Sequence, residues 1–426
     1  MRYNTKTLPS GLRVIHLPST SSVVYCGFQI AAGTRDEQPG EEGLAHFCEH
    51  MSFKGTERRN ALQIINALEG LGGELNAFTN KESTVYYTAI QKEHLRVAVD
   101  VLADMVFHSQ YPQGEIDREV EVICDEIESY NDTPSELIYD EFENLLFGGH
   151  PLGHNILGTA EHLRTYTTDD ARRFTQRHYL PMKSVFFAYG DIDFRRLTAW
   201  LEKLVPVVPS EPTVSTDGTK TPHSIGISPA VEKNVESILA PYPAGDVIVR
   251  HRNTHQSHII IGARAYAANH PRRMALFLLN NLLGGPGMNA RLNLVLRERY
   301  GLVYTVESTV VNYGDTGVWS VYFGCDSHDI ARCQRLVRRE LDKLMTTPLS
   351  ETRLAVAKRQ LKGQLAIACD GREQFALDFG KSFLFDGKER DLDNLFSRID
   401  SVTATDIQDV ANELFPKERL VTLVYK

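Results

Sequence analysis

The sequence predicts an α+β protein of two homologous αβ domains, each with helices packed on one face of an antiparallel-rich sheet. Three observations lead there. Apolar stretches alternate in period two in some segments and follow long amphipathic helical patterns in others. The 426 residues are enough for two or three domain-sized cores. The second half of the chain also repeats the pattern of the first.

The repeat can be followed element by element. Each half opens with an alternating strand, VVYCGFQIAAG at 23–33 and HIIIGARAYAA at 258–268. An apolar helix comes next in each, GLAHFCEHM at 43–51 and MALFLLNNLL at 274–283. Later, SELIYDEFENLLFGG at 135–149 resembles REQFALDFGKSFLFDG at 372–387, and TTDDARRFTQRHYLP at 167–181 resembles TATDIQDVANELFP at 403–416. Between the halves, residues 205–230 are rich in Pro, Ser and Thr and lack periodicity. The expected division is therefore a domain at 1–205, a linker at 206–230 and a domain at 231–426.

Composition narrows the function. Charged residues at 24% and apolar residues at 42% are ordinary for a globular protein. A net charge of −9, with no clustered Lys/Arg stripe, argues against nucleic acid as the main partner and leaves basic peptides open. The first residues, MRYNTKTLPSGLRVIHLP, contain neither an apolar signal core nor an Arg-rich amphipathic helix, so a cytoplasmic setting is expected. No apolar run approaches the length of a membrane span. The six cysteines are scattered without a C-x-x-C pair, as expected of reduced core thiols.

The chemistry concentrates in His46-Phe47-Cys48-Glu49-His50. On a helix, His46 and His50 stand one turn apart on one face and can share a tetrahedral Zn²⁺. Glu49 lies about 60° around the helix from His46, beside the metal without having to bind it. That suits a base acting on the attacking water. The order is the inverted zincin pattern, H-x-x-E-H. Aligning the two apolar helices places Phe277, Asn280 and Asn281 opposite His46, Glu49 and His50. In that register the second half keeps the helix and lacks the metal chemistry, so the histidines are not required by the scaffold.

Two histidines leave a catalytic zinc short of a third protein ligand. A helix over 113–130, begun near Pro112 and stopped at Asn131-Asp132-Thr133-Pro134, offers the candidates. Its apolar face holds Ile116, Val120, Ile123, Ile127 and Tyr130, and Glu119 and Glu126 fall at the edge of that face. A carboxylate drawn into apolar surroundings costs several kcal/mol unless a cation or donor meets it. Glu126 and Glu119 are thus the acids most in need of an explanation. For Glu119, support of a metal ligand and an ordinary buried salt bridge both remain open. His150 and His154, in a Gly/Pro-rich loop without an intervening acid, read as turn-stabilising rivals.

With these residues in view, the chain resembles the pitrilysin/mitochondrial processing peptidase family of inverted zinc metallopeptidases, in its short two-domain bacterial form. The match covers almost the whole length. In that family a third ligand follows H-x-x-E-H by about 75 residues within E-x-x-x-x-x-x-E-I, and Glu119-VEVICD-Glu126-Ile127 fits, assigning His46, His50 and Glu126 to one Zn²⁺ per chain. The family's substrate-strand motif appears at 76–87, NAFTNKESTVYY. The resemblance makes Asn76, Ala77 and Phe78 part of an edge strand that pairs with the peptide; the residues alone would equally allow a simple hairpin strand. Leu296-Arg297-Glu298-Arg299-Tyr300-Gly301-Leu302-Val303-Tyr304 resembles the L-R-x-x-x-G-L-x-Y segment whose Arg and Tyr reach substrate and intermediate. By itself Arg297 would be a surface salt-bridge partner of Glu298 or Glu307.

The resemblance implies a zinc endopeptidase with Glu49 as base, Tyr304 and Arg297 stabilising the oxyanion and Glu119 orienting a ligand. It also implies a clamshell cavity admitting only unfolded peptides or flexible termini. Carrying both motif sets in one chain favours a self-sufficient homodimer. The alternative is a non-catalytic core or partner subunit, which usually has a degraded metal motif. A small-molecule lyase using an H-x-x-E-H helix would leave the second half without a task.

Overall fold

The computed structural model describes residues 2–207, 240–252 and 254–426. Most of the expected linker, 208–230, lies outside them. In chain order the first half contains strands β1 (Asn4–Thr7), β2 (Arg13–Pro18) and β3 (Val23–Ile30), then helices α1 (Leu44–Met51) and α2 (Ala61–Glu69). Strands β4 (Glu74–Thr79) and β5 (Thr84–Gln91) follow, with helices α3 (Leu95–His108), α4 (Gln113–Asn131), α5 (Pro134–Leu146), α6 (Ala160–Leu163) and α7 (Thr168–His178). Strand β6 (Ser184–Gly190) and helix α8 (Phe194–Leu204) complete it. The second half contains β7 (Val247–Arg250), β8 (Ser257–Ala265), α9 (Arg273–Gly284), a π-helical segment at Asn293–Arg299, β9 (Val303–Asn312) and β10 (Gly317–Cys325). It ends with α10 (Ile330–Thr346), α11 (Glu351–Ala368), α12 (Arg372–Asp386), α13 (Leu392–Ser401), α14 (Ala404–Leu414) and β11 (Val421–Tyr425).

The strands form two sheets, ordered β1-β2-β6-β3-β5-β4 and β7-β11-β8-β10-β9. From β2 and from β7 onward the two orders correspond strand for strand, each with one parallel pair followed by three antiparallel pairs. The duplication reaches single residues. Thr167 and Thr403 each accept a bond from the amide three residues on, Asp170 and Asp406, and those aspartates bond back: the same capping box opens α7 and α14. Gly27 and Gly262 hold the same place in β3 and β8. A Cβ there would come within 2.3 Å of the Tyr86 carbonyl oxygen and 2.1 Å of that of Trp319.

The compact units interleave along the chain, whereas the expected division at 205 and 231 follows it. Among the described residues one unit comprises 2–127, 155–207 and 368–391, and the other 128–154, 240–367 and 392–426. Each sheet is covered on both faces, which corrects the expectation of helices on one face. In the first unit, one face packs with α1, α3, α7 and α8. Its reverse face, with Ile15, Val85, Val185 and Phe187, is closed by Phe375, Ala376, Phe379 and Leu384 of α12. In the second unit α9, α10 and α14 cover one face, and Leu137, Ile138, Phe142 and Leu146 of α5 cover the other. So α5 and α12, the two segments that resemble each other in sequence, each close the sheet of the opposite half-sequence.

The reason is visible in the strands. Positions on both sides of β3, β5, β6 and β10 are apolar and buried, and each large apolar side chain left in water would forfeit about 1.5–3 kcal/mol. An arginine fastens each covering helix at its C-terminal end. Arg13 donates to the carbonyls of Phe383 at 2.8 Å and Leu384 at 2.9 Å, and Arg264 Nε donates to the carbonyl of Leu146 at 2.7 Å. These bonds satisfy carbonyls that the helix itself leaves open. Gly27→Ala and Gly262→Ala should each lower stability by about 1–3 kcal/mol through overpacking; urea melts with midpoints unchanged from the native chain would show that the strands can part at no cost.

Candidate metal centre

Helix α1 is placed by its two ends and by the side that enters the core. Gly43 precedes it in the left-handed region at φ 92°, with Gly158 packed against it so closely that a Cβ would meet its Cα at 2.8 Å. Glu37 supplies the cap that glycine lacks, accepting from the amides of Gly43 at 3.0 Å and Ala45 at 2.7 Å. A carboxylate there also complements the positive end of the helix. Leu44, Ala45, Phe47, Cys48 and Met51 are sunk in the core. At the far end Ser52 Oγ donates to the Cys48 carbonyl at 2.8 Å and meets Tyr86 Oη at 3.1 Å. His46, Glu49 and His50 then share the remaining side, with His46 and Glu49 still only 7% exposed.

Helix α4 brings the acids. Ile116, Val120 and Ile123 bury its apolar side, and Val122 is exposed. Glu119 is buried, while the Glu126 side chain is 45% exposed. Oε2 of Glu126 lies 3.9 Å from His46 Nε2 and 3.5 Å from His50 Nε2. One donor atom from each of the three residues falls within 4.8 Å of the others. Ligands held at about 2.0–2.2 Å around a tetrahedral zinc stand roughly 3.3–3.5 Å apart, so this spacing and the nitrogen/oxygen donor set fit zinc. The 3.9 Å to His46 is too long for a hydrogen bond, and the 3.5 Å to His50 lies at the outer limit of one.

Glu119 is not in that set. Its Oε1 accepts the Nδ1–H of His50 at 3.0 Å, and its Oε2 meets Lys54 Nζ at 2.5 Å. Oε2 of Glu49 accepts the hydroxyl of Thr79 on β4 at 2.6 Å. The electrostatics follow from these partners. Burial, reinforced by the neighbouring His50, lowers His46 to about 4. Burial raises Glu49 to about 7 against the opposing bond from Thr79. His50 is pulled down by burial, yet the bonds to Glu119 and Glu126 outweigh it and raise the ring to about 9. Burial pushes Glu119 up, and its bonds to His50 and Lys54 hold it below the ordinary carboxylate value. The bond to His50 lowers Glu126 as well. A divalent ion competes with the proton for such a donor set.

The strand motif falls on β4 and β5, and the side chains of β4 divide between its two faces. Among the described residues β4 pairs only with β5, so its other edge is open. Ala77 packs with the cluster around α1, and Thr79 reaches Glu49. Phe78 turns to the opposite face beside Tyr87, ring centres 6.2 Å apart. By alternation Asn76, which is exposed, shares that face with Phe78.

Arg297 and Tyr304 come together in the second unit. Buried Leu296 and the bond from Asn293 Nδ2 to the Met288 carbonyl, 2.6 Å, hold the π-helical segment in place. The Arg297 guanidinium lies 5.5 Å over the Tyr304 ring, and its Nε is 3.8 Å from Glu298. Tyr304 is 79% exposed on β9, the edge strand of its sheet. Glu307 is engaged by Tyr139 Oη at 2.5 Å. His150 Nδ1 accepts the Leu152 amide at 3.2 Å, a turn contact. Among the described residues neither His150 nor His154 belongs to a metal-competent cluster; the other such cluster is Asp326, His328 and Asp329, just ahead of α10.

Sequence reasoning missed Thr79, Lys54 and Glu37 as partners of the site. Thr79 stood inside the quoted strand motif, but a motif does not say which way a hydroxyl points. Lys54 and Glu37 lie just outside the helix pattern and carry no periodic signal.

The two copies of the doubled αβ unit differ at their matching helices: α1 carries His46, Glu49 and His50, whereas α9 carries no histidine and no acid. Residues 13–160 match the family described as insulinase (peptidase family M16), and residues 165–361 match the peptidase M16 inactive domain. The chain belongs to peptidase family M16. It is 34% identical over 424 residues to an uncharacterized zinc protease of Streptomyces coelicolor, covering 98% of this chain and 88% of that protein. It is 30% identical to the uncharacterized zinc protease YmxG of Bacillus subtilis, covering 98% and 97%. Its fold is similar to a crystal structure of a protease from Helicobacter pylori, with TM-score 0.85 at 21% identity over 100% and 99% of the chains. No helix among the described residues is long and apolar enough to cross a membrane.

Glu126→Gln should weaken zinc binding at least about tenfold, read by competition with a chelating dye. Because this side chain is half-exposed, metal-free stability should move by no more than about 0.5 kcal/mol. Full zinc uptake by the variant would remove Glu126 from the ligand set.

Proposed function

We propose that this chain is a zinc-dependent endopeptidase acting on unfolded peptides or flexible termini. The observation that carries the reading is the meeting of His46, His50 and Glu126, from two helices, within 4.8 Å and beside the buried carboxylate of Glu49. Those three residues would hold one zinc ion, which when bound polarises the scissile carbonyl and acidifies the attacking water. Glu49 takes the proton of that water and delivers it to the leaving amine. Its raised affinity for a proton, caused by burial, suits a group that must both accept and release one near neutrality. Thr79 holds one carboxylate oxygen, so that the other serves the water. Glu119 fixes the ring of His50.

The open edge of β4 would receive the peptide as an added strand, presenting Asn76, Ala77 and Phe78 to it. Strand addition requires an extended backbone, which restricts substrates to unfolded or flexible segments. Tyr304, with Arg297 over its ring, supplies donors for the oxyanion. The zinc protease names of the relatives support the metal and the hydrolase class. The complete donor set and base weigh against the non-catalytic reading. The expected assembly is a homodimer, and a monomer in sedimentation would correct it.

Glu49→Gln should retain zinc and lose peptidase activity by about 10³-fold or more, since it removes the base and keeps the shape. Retained turnover of a quenched peptide would take the base role from Glu49. Arg297→Ala should lower kcat by about tenfold or more with zinc content unchanged; native kinetics would return Arg297 to the surface.

A further inference from the structure

We propose that Lys54 is a positioning residue of the metal centre, acting through Glu119 to set the face that His50 presents to zinc. The proposal rests on the zinc-site reading above and extends it to a residue outside the motif.

Three contacts run in series. Lys54 Nζ meets Glu119 Oε2 at 2.5 Å, Glu119 Oε1 accepts from His50 Nδ1 at 3.0 Å, and His50 Nε2 faces Glu126 at 3.5 Å. A carboxylate only accepts, so Nδ1 must carry the hydrogen, which leaves Nε2 as the nitrogen whose lone pair a metal can take in place of a proton. That is the nitrogen on the metal side. Without Lys54 the second oxygen of Glu119, in a side chain only 9% exposed, would lose its counter-charge. A buried carboxylate in that position gains by turning toward water, and its bond to His50 would go with it.

Lys54 is built into this place. Its own amide bonds to the Met51 carbonyl at 3.1 Å, and the amide of Phe53 bonds to that of His50 at 3.1 Å. Phe53 packs against the core, and the next carbonyl, of Gly55, accepts from Gln110 at 3.0 Å. The chain is thereby turned tightly off the end of α1, returning the lysine alongside α4. Among the described residues it is the one Lys or Arg paired with Glu119. His46 has no comparable support: its Nδ1 is buried without a hydrogen-bond partner among the described residues. Orientation of the donor pair therefore falls on the His50 branch.

The test is zinc affinity of the full chain by competition with a chelator, read apart from turnover. Lys54→Met should weaken zinc binding about tenfold and Lys54→Arg no more than about threefold. Should Lys54→Met fold poorly, Lys54→Gln is expected to change affinity in the same direction. In a Glu119→Gln background Lys54→Met should add nothing, because the link is already cut. Unchanged affinity in Lys54→Met, or a loss that adds to that of Glu119→Gln, overturns the assignment while leaving the peptidase reading in place. Weakened zinc binding in a chain that cleaves no peptide would support the assignment and defeat the proposed function.

Discussion

Taking two imidazoles and a carboxylate out of water on one short helix is the constraint around which the first unit is arranged. Each charge left without a partner in such a place costs several kcal/mol. Helix α1 cannot turn its polar side outward, because Leu44, Phe47, Cys48 and Met51 anchor it in the core. Partners must therefore come to it. Thr79 arrives from the edge strand, Glu119 and Glu126 from α4, and Lys54 from the turn that follows. The result is a site in which one donor atom from each of His46, His50 and Glu126 lies within 4.8 Å of the others.

The second unit shows what the same helix looks like without that burden. Its α9 carries Asn280 in place of an ionisable group in the register read from sequence. Asn280 Nδ2 donates to the Ser308 carbonyl at 2.8 Å, and its Oδ1 accepts from the Ser308 hydroxyl at 2.5 Å. A neutral amide is satisfied by the neighbouring edge strand alone. A glutamate and two histidines are not, and they draw in the acids of α4. The chemistry is thus an addition to a helix–strand contact that both copies possess.

Much of this was legible in the chain. Period-two strands and the Pro134 break between α4 and α5 are local signals, and β3 and the end of α4 fall within the stretches read for them. The helical projection of 113–130 selected Glu119 and Glu126 because amphipathicity is a property of one helix. It could not separate their tasks. That depended on which carboxylate faces Nδ1 and which faces Nε2 of the same ring, a matter of ångströms between two helices. The strand at 76–87 was equally readable, while the division of Thr79 to one face and Asn76 to the other came only with the sheet.

The sequence by itself determined the duplicated elements and the placing of the H-x-x-E-H residues on one of the two matching helices, since both depend on near neighbours along the chain. Only the tertiary structure decided that α5 and α12 would each close the other half's sheet, and that Lys54 and Thr79 would complete the site. Such pairings minimise exposed apolar area and unpaired charge over residues far apart in the chain, and no short window of sequence records that balance.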